Sequence, residues 1–228
     1  MSAARVGGTE QLHIAGIIPF SATDWPGKLT ATAFVQGCPW RCVYCHNWEL
    51  QPFVAEVEDP DESSLEALLA LLRSRRGLLD GAVISGGEPT AQLGLGSAVA
   101  KIHDEGFPVG LHTCGYAPKR LAALLSRPET RPEWIGIDVK GLPEDMPGVV
   151  GCSPTTARGA WEALELVTAA GRRGEIDVEV RTTIWPGSVL EQHLGEVRSR
   201  VADLGYELVV HEARGVDADG RYIGSPAR

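Results

Sequence analysis

Three of the chain's five cysteines lie close together in the segment GCPWRCVYCHNWEL, residues 37–50. Cys38, Cys42 and Cys45 follow the spacing C-x3-C-x2-C, and His46 comes directly after the last of them. Where thiols stay reduced, clustered cysteines indicate a metal site or a catalytic site, because disulfides are rare there. The odd number of cysteines supports the same conclusion. The segment therefore predicts metal chemistry in one loop.

Three kinds of metal site compete for this loop. Cys42, Cys45 and His46 spell C-x-x-C-H, the haem-attachment pattern, but that chemistry normally follows export from the cytoplasm. A zinc ion could take the same three residues with Cys38, although structural zinc sites usually draw ligands from two separated pairs. A four-iron cluster normally takes four thiolates, and this loop supplies three. The fourth iron would then have an open position for a small molecule, which is where catalytic metal sites do their chemistry.

A second candidate motif is SGGEP, residues 85–89, at the end of a predicted strand. Its two glycines allow backbone groups to approach a ligand closely. The carboxylate of Glu88 is suited to an ammonium group. The alternative is a plain strand-to-turn segment with an exposed glutamate.

The elements that must position these motifs alternate along the chain after a short polar leader. Strands are predicted at 29–37, 81–87, 108–113, 134–140, 176–184 and 206–212. Helices are predicted at 61–76, 97–106, 117–126, 155–170 and over the apolar stripe Leu190, Leu194, Val197, Val201 and Leu204. Such alternation implies parallel strands joined by right-handed crossovers. Six units are too few for a closed barrel of eight, so we expect an α/β fold with an open, partial (β/α)6 TIM-like barrel.

Composition sets the remaining limits. The 228 residues fit one domain, with an extension at 1–28, a core at about 29–212 and a tail at 213–228. The formal net charge of −9 argues against a nucleic-acid-binding protein, because phosphate contacts need clustered Lys and Arg. We find neither a membrane span nor a signal peptide and therefore expect a cytoplasmic location. The distant Cys114 and Cys152 are predicted to be structural, although Cys114 as a fourth cluster ligand stays open.

Several motifs together resemble a known family. C-x3-C-x2-C with Tyr44 before the last cysteine, followed by SGGEP, resembles the radical S-adenosylmethionine (SAM) superfamily. The stretch DWPGKLTATAFVQGCPWRCVYCHN, residues 24–47, is similar to glycyl-radical activating enzymes, and specifically to the activating proteins of anaerobic ribonucleotide reductase. Asp138-Val139-Lys140 and the stretch from Arg181 to Gly187 resemble that family's D-x-K and R-x-x-x-x-P-G motifs. The family has a partial (β/α)6 barrel, which agrees with the count of units.

The resemblance implies a [4Fe-4S] cluster on Cys38, Cys42 and Cys45. It also implies reductive cleavage of SAM into methionine and a 5′-deoxyadenosyl radical. The residues expected around SAM are Tyr44, Gly86, Gly87, Glu88, Pro89, Thr113, Asp138, Lys140, Arg181 and His211. Among them, Lys140 and Arg181 are natural partners for the SAM carboxylate, and His211 is the candidate beside the adenine. An equally simple alternative is that Asp138 and Lys140 pair with each other, while a buried Arg181 needs a partner of its own.

The family's substrate is a backbone glycine of a large partner enzyme, here expected to be anaerobic ribonucleotide reductase. Asp24, in the D-x-P-G segment, resembles the part that approaches the partner's glycine loop; the alternative is that this segment is only a structural turn. The expected electron donor is a flavodoxin or ferredoxin; neither nucleic acid nor a membrane is expected as a partner. Relatives often have Asp-Thr-Asn-Gly where this chain has His112-Thr113-Cys114-Gly115, so a monovalent cation beside SAM rests on Asp138 alone.

Two other functions remain open. One is a small-molecule radical SAM enzyme, such as 7-carboxy-7-deazaguanine synthase, which also has a GGEP motif. The other is a metal-binding scaffold without catalysis, which predicts zinc in the purified protein and no SAM cleavage.

Overall fold

The computed structural model describes residues 11–53 and 63–224 of the chain. Within them, one sheet contains seven strands in chain order: β1 (Ile14–Ser21), β2 (Thr30–Val35), β3 (Gly81–Gly86), β4 (Val109–Thr113), β5 (Trp134–Asp138), β6 (Asp177–Ile184) and β7 (Leu208–Glu212). Strand β1 runs antiparallel to β2, and every pair from β2 to β7 is parallel. The six parallel strands confirm the expected partial (β/α)6 barrel.

Helices connect these strands. The described α-helices are α1 (Leu65–Ser74), α2 (Leu95–Asp104), α3 (Pro118–Leu125), α4 (Met146–Val150), α5 (Pro154–Arg172), α6 (Val189–Gln192) and α7 (Leu194–Asp203). Short 3-10 helices lie at Trp48–Leu50, Pro89–Ala91 and Pro128–Thr130.

The core lies on both faces of the sheet. Successive residues of a strand point to opposite faces, so Ala82 and Ile84 of β3 pack in the large cluster with the helices. Val83 points to the other face and packs with Trp25 and Trp134. These two indole rings stack with centroids 5.9 Å apart. The segment after β1 is therefore anchored inside the barrel by Trp25.

Strand β1 was not among the predicted strands. Residues 14–21 lie in the stretch that was expected as an extension, and they join the sheet as its edge strand. Gly16 and Pro19 hid this strand in the sequence, because glycine weakens strands and proline removes a ladder donor. Proline is tolerated here because only one side of an edge strand is paired.

Other elements differ from the predicted bounds. The helix predicted over 61–76 is α1, which begins after Ser64, whose hydroxyl accepts from the Ala67 amide at 3.0 Å; residues 61 and 62 lie outside the described part. The last predicted helix is divided into α6 and α7 at His193. Helix α4 was not predicted, because Pro147 and Gly148 disfavour helices.

Two glycines of α5 give a matched prediction about packing. A Cβ added at Gly159 would meet nothing closer than Pro118 Cγ at 3.7 Å, so Gly159→Ala is expected to stabilise the fold by about 0.5–1 kcal/mol. A Cβ at Gly171 would lie 2.0 Å from Tyr206 Oη and 2.8 Å from Val178 Cγ2. Gly171→Ala is therefore expected to destabilise it by about 1–3 kcal/mol. Urea unfolding measures both, and equal effects would contradict the packing around Gly171.

Candidate active site

The cysteine loop leaves β2 at Gly37, whose φ of +97° favours glycine. The loop returns close to its own base, since the Gly37 amide donates to Leu50 O at 2.7 Å. On its far side, the amides of Arg41 and Val43 donate to carbonyls at the end of α4, Val150 O at 2.8 Å and Val149 O at 3.3 Å. The loop is thus fixed at its base and against the crossover that follows β5.

A cavity of about 400 Å³ lies at the carboxyl ends of the strands, where parallel barrels place their active sites. It brings together most of the predicted site residues: Cys38, Cys42, Cys45, Tyr44, Gly86, Gly87, Glu88, Thr113, Asp138, Lys140 and His211. Residues that were not predicted also line it: Trp40, His46, Asn47, Gln51, Ser85, His112, Cys114, Thr183, Glu212, Ala213 and Arg214. Pro89, Arg181 and Asp24 are not among the lining residues.

The three thiols are suited to a group with several metal atoms. Burial and the nearby Glu88 carboxylate raise the pKa of Cys38 to about 12, and burial raises that of Cys42 to about 11. The free thiols of Cys38 and Cys42 are therefore protonated at neutral pH, and metal binding to them must release protons. Three thiols on one loop suit an iron–sulfur cluster, which takes each thiolate on a different iron.

A buried polar group of the same loop supports this fit. The indole N–H of Trp40 has no hydrogen-bond partner among the described residues. Buried donors in proteins almost always have one. Because Trp40 lines the cavity, a bound group with sulfur or oxygen acceptors is the natural occupant. The donor set and this unpaired N–H therefore fit a cluster with a small-molecule ligand.

The SGGEP motif is joined directly to the base of the cysteine loop. Gly86 has φ +105°, and a Cβ on Gly87 would lie 2.3 Å from Gly37 O. The amide of Glu88 donates to the same carbonyl at 2.9 Å. The glycines are thus required for contact between the two motifs. The sequence alone indicated only that they allow the backbone to approach a ligand.

Glu88 is 1% exposed, so the alternative of an exposed turn glutamate is wrong. Its Oε1 accepts from the amide and hydroxyl of Thr90, at 2.9 and 2.5 Å, and from the Thr113 hydroxyl at 2.6 Å. Its Oε2 accepts from the amide and the thiol of Cys114, at 2.8 and 2.9 Å. The carboxylate therefore holds the ends of β3 and β4 together. An ammonium group of a ligand at Glu88 would be a further donor to oxygens that already accept from Thr90, Thr113 and Cys114.

Replacing Glu88 with glutamine tests this role. The new amide would present two donors where Glu88 now accepts, and one of them would face the amide and thiol of Cys114. We expect Glu88→Gln to lower the free energy of unfolding by about 1–3 kcal/mol in the metal-free protein. Glu162→Gln, on the exposed side of α5, is the control and should change it by less than about 0.5 kcal/mol. Equal urea midpoints for the two variants would contradict the buried network.

Asp138 lies between two cations. Its Oδ1 accepts from Arg181 Nε at 2.9 Å and its Oδ2 from Lys140 Nζ at 3.2 Å. Burial alone would raise the pKa of Asp138, but Lys140 and Arg181 outweigh it and hold that pKa well below its usual range. Burial would likewise lower the pKa of Lys140, yet Asp138 raises it well above its usual value.

This placement revises the prediction for Arg181. Its guanidinium lies behind Asp138, away from the lining of the cavity, whereas Lys140 faces the cavity with Nζ 5.5 Å from the centre of the Tyr44 ring. Arg181 has the buried partner that its position in a strand demanded. Pro89 is similarly displaced, since it begins the buried 3-10 helix behind the lining.

His112 links the D-x-P-G segment to the site. Its Nε2 lies 2.6 Å from Asp24 O and its Nδ1 3.2 Å from the Ser85 hydroxyl. Burial lowers the pKa of His112, and the neutral ring has one donor and one acceptor for these partners. The Asp24 carboxylate accepts from the Thr32 hydroxyl at 2.6 Å. Asp24 is therefore held by hydrogen bonds and does not line the cavity. His112, where this chain departs from the family pattern, connects the segment of Asp24 to Ser85 at the end of β3.

The fold and the site together define a class of protein: an open parallel α/β barrel whose strand ends present three thiols to a ligand cavity. The family model described as the Radical SAM superfamily matches residues 32–195. The chain therefore belongs to the radical SAM superfamily, which implies a [4Fe-4S] cluster and SAM as cofactors.

Curated relatives of the chain include proteins named as activating enzymes. A Methanocaldococcus jannaschii protein named as a glycyl-radical enzyme activating enzyme is 28% identical over 193 residues, 83% of this chain and 75% of that protein. The pyruvate formate-lyase-activating enzyme of Staphylococcus aureus is 30% identical over 107 residues, 45% of this chain and 39% of that enzyme. A solved structure of TYW1 has a TM-score of 0.56 at 14% identity, covering 84% of this chain and 67% of that one, and supports the fold alone. Across the described residues, no helix is long and apolar enough to cross a bilayer.

Proposed function

We propose that this protein is a radical SAM activating enzyme that creates a glycyl radical on a partner enzyme. The observation that carries the proposal is the convergence of the cysteine loop and SGGEP on one cavity, joined through Gly37 and Gly87. Homology to activating enzymes supports the glycine as substrate. The proposed partner is anaerobic ribonucleotide reductase, on the resemblance of residues 24–47 to its activating proteins.

Each set of lining residues has a proposed task. Cys38, Cys42 and Cys45 would hold the cluster, and the backbone of SGGEP would receive the amino end of SAM. When bound, the reduced cluster supplies the electron that cleaves a carbon–sulfur bond of SAM, giving methionine and a 5′-deoxyadenosyl radical. Lys140 attracts the SAM carboxylate, because Asp138 keeps it protonated and fixed.

The remaining lining residues complete the pocket. Thr113 lies beside Glu88, and Tyr44 forms a wall under Lys140. His211 lines the same cavity from the end of β7, and we assign it to the adenine. Arg181 acts indirectly by holding Asp138. These assignments place the SAM ligands at the ends of four strands, β3, β4, β5 and β7, and on the cysteine loop.

We leave the monovalent cation out of the proposed cofactor set. Asp138 was the carboxylate expected to hold it, but Arg181 and Lys140 already occupy both of its oxygens. A third cation at this point would meet two positive side chains at close range. The proposed electron donor remains a flavodoxin or ferredoxin.

The test uses protein purified without air and reconstituted with iron and sulfide. With SAM and a reductant, we expect 5′-deoxyadenosine, and with the reductase an electron-paramagnetic glycyl signal. A glycyl signal with pyruvate formate-lyase but not with the reductase would identify pyruvate formate-lyase, and not the reductase, as the partner. Turnover of 6-carboxytetrahydropterin without a glycyl signal would favour the 7-carboxy-7-deazaguanine synthase alternative. Bound zinc with no SAM cleavage would overturn the proposal.

A further inference from the structure

The segment after β7 forms a small hairpin over the cysteine loop. Val216 and Tyr222 form an antiparallel bridge, and the Ile223 amide donates to Gly215 O at 2.8 Å. The turn is held by Asp217, whose Oδ1 accepts from the amides of Asp219 and Arg221, at 3.0 and 2.9 Å. We call residues 213–223 the terminal hairpin. Its turn is fixed by its own hydrogen bonds, so it can act as a rigid unit.

The terminal hairpin contacts the part of the loop that carries two thiols. The Tyr222 amide donates to Val43 O at 3.2 Å, while the Val43 amide donates to Val149 O at 3.3 Å. The Tyr222 ring stacks on His46 with centroids 4.5 Å apart and planes at 27°. Val43 is therefore held from both sides, and His46, next to Cys45, is held by the ring.

A second contact joins the hairpin to the wall of the cavity. A Cβ on Gly220 would lie 2.2 Å from Trp185 Cε2, so the backbone of Gly220 lies directly on that indole. The Trp185 ring in turn packs on Tyr44 with centroids 5.4 Å apart. Val216 packs against the same buried cluster. The hairpin therefore touches the loop at Val43 and His46 and supports Tyr44 through Trp185.

We propose that the terminal hairpin is part of the cluster site and sets the conformation of residues 42–46. Tyr222 is a positioning residue that acts through His46, and Gly220 is the position that lets the hairpin close on Trp185. Loop residues lose conformational entropy when they are ordered around a metal group. The hairpin reduces that cost by ordering them in advance, which is how supporting contacts improve a site. Only the expected effect of the terminal hairpin on metal retention rests on the proposed function. The expected effect on the conformation of residues 42–46 does not need a bound cluster.

The first experiment uses the metal-free protein, kept reduced, and 5,5′-dithiobis(2-nitrobenzoate) as the thiol probe. Tyr222→Ala and Gly220→Ala are expected to raise the labelling rate of Cys42 and Cys45 about tenfold, the scale of one lost aromatic contact. The modified cysteines are located by mass spectrometry, and the urea midpoint of each variant measures its global stability. Tyr222→Phe keeps the ring and should match the wild type.

Ile223→Ala is the matched control, because Ile223 adjoins Tyr222 but its side chain is 73% exposed. It should label like the wild type. Unchanged rates at Cys42 and Cys45 in both Tyr222→Ala and Gly220→Ala would overturn the inference. A urea midpoint that falls in proportion to the faster labelling would show general unfolding, and would also count against a local positioning role.

The second experiment measures iron release to a chelator from reconstituted protein, together with the electron-paramagnetic spectrum of the reduced cluster. Tyr222→Ala should lose iron about tenfold faster than the wild type, with Tyr222→Phe restoring retention. Wild-type protein that takes up no cluster would refute the proposed function while leaving the thiol result intact. A loaded wild type with equal retention and spectra in all variants would refute the inference alone.

Discussion

Replacing Cys42 with alanine is expected to abolish both the iron–sulfur content of the protein and SAM-dependent formation of 5′-deoxyadenosine. Cys42 is half-buried near Lys140 and lines the cavity together with Cys38 and Cys45. With one thiolate missing, two neighbouring ligands remain for a cluster that normally takes four. Iron and sulfide analysis after anaerobic reconstitution, followed by chromatography of the SAM products, makes the measurement.

The other cysteines provide matched controls. Cys152→Ala removes a thiol outside the cavity lining and should leave both readouts unchanged. Cys114→Ala removes a thiol that lines the cavity but donates to Glu88 at 2.9 Å, and it should retain the cluster. Turnover in Cys42→Ala would contradict the ligand assignment, and loss of the cluster in Cys114→Ala would identify a fourth protein ligand.

The largest expected effect on stability belongs to Asp138. Removing its carboxylate leaves Lys140 and Arg181, which are 12% and 13% exposed, as neighbouring cations without their common partner. Breaking a buried pair by removing one member costs several kcal/mol, and the partial exposure of Asp138 reduces this, so we expect Asp138→Ala to lose about 3 kcal/mol. The surface pair of Arg173 and Glu175 is the control, and Glu175→Ala should leave the urea midpoint close to that of the wild type.

The contribution of Asp138 should also depend on pH in a defined direction. Its folded pKa is lowered, because the two cations outweigh burial. A carboxyl of this kind stabilises the fold fully above the pKa that it has in the unfolded chain, about 4. This contribution is lost as the pH falls from that value through the lower pKa of the folded state. The difference in urea stability between wild type and Asp138→Ala should stay constant from about pH 8 to about pH 5 and shrink only below about pH 4. A decrease between pH 7 and pH 6 would indicate that a different group is responsible.

The sequence predicted the parallel barrel because each parallel strand is a short apolar run followed by an amphipathic helix. It also predicted the site at the strand ends, since the topology of parallel strands brings those ends together. Strand β1 was missed because Gly16 and Pro19 interrupt its pattern, and only its pairing with β2 reveals it.

Side-chain direction and long-range contacts could not be predicted. Arg181 is in the expected strand, but whether it meets a ligand or Asp138 depends on which face of β6 it occupies. The importance of Gly87 depends on Gly37, a neighbour created only by the pairing of β2 and β3. Tyr222 carries no local signal at all, because its partner His46 is far away in the chain.

The hydrogen bonds of the cysteine loop have a mechanical consequence for an incomplete barrel. The loop begins after β2, the first parallel strand, yet its backbone is bonded to Val149 and Val150 beyond β5 and to Tyr222 beyond β7. It thereby spans the mouth of the barrel and couples strands that have no direct pairing. Widening that mouth to admit a polypeptide would stretch these bonds. The entry of a macromolecular substrate would therefore also change the positions of the three sulfur atoms on the loop.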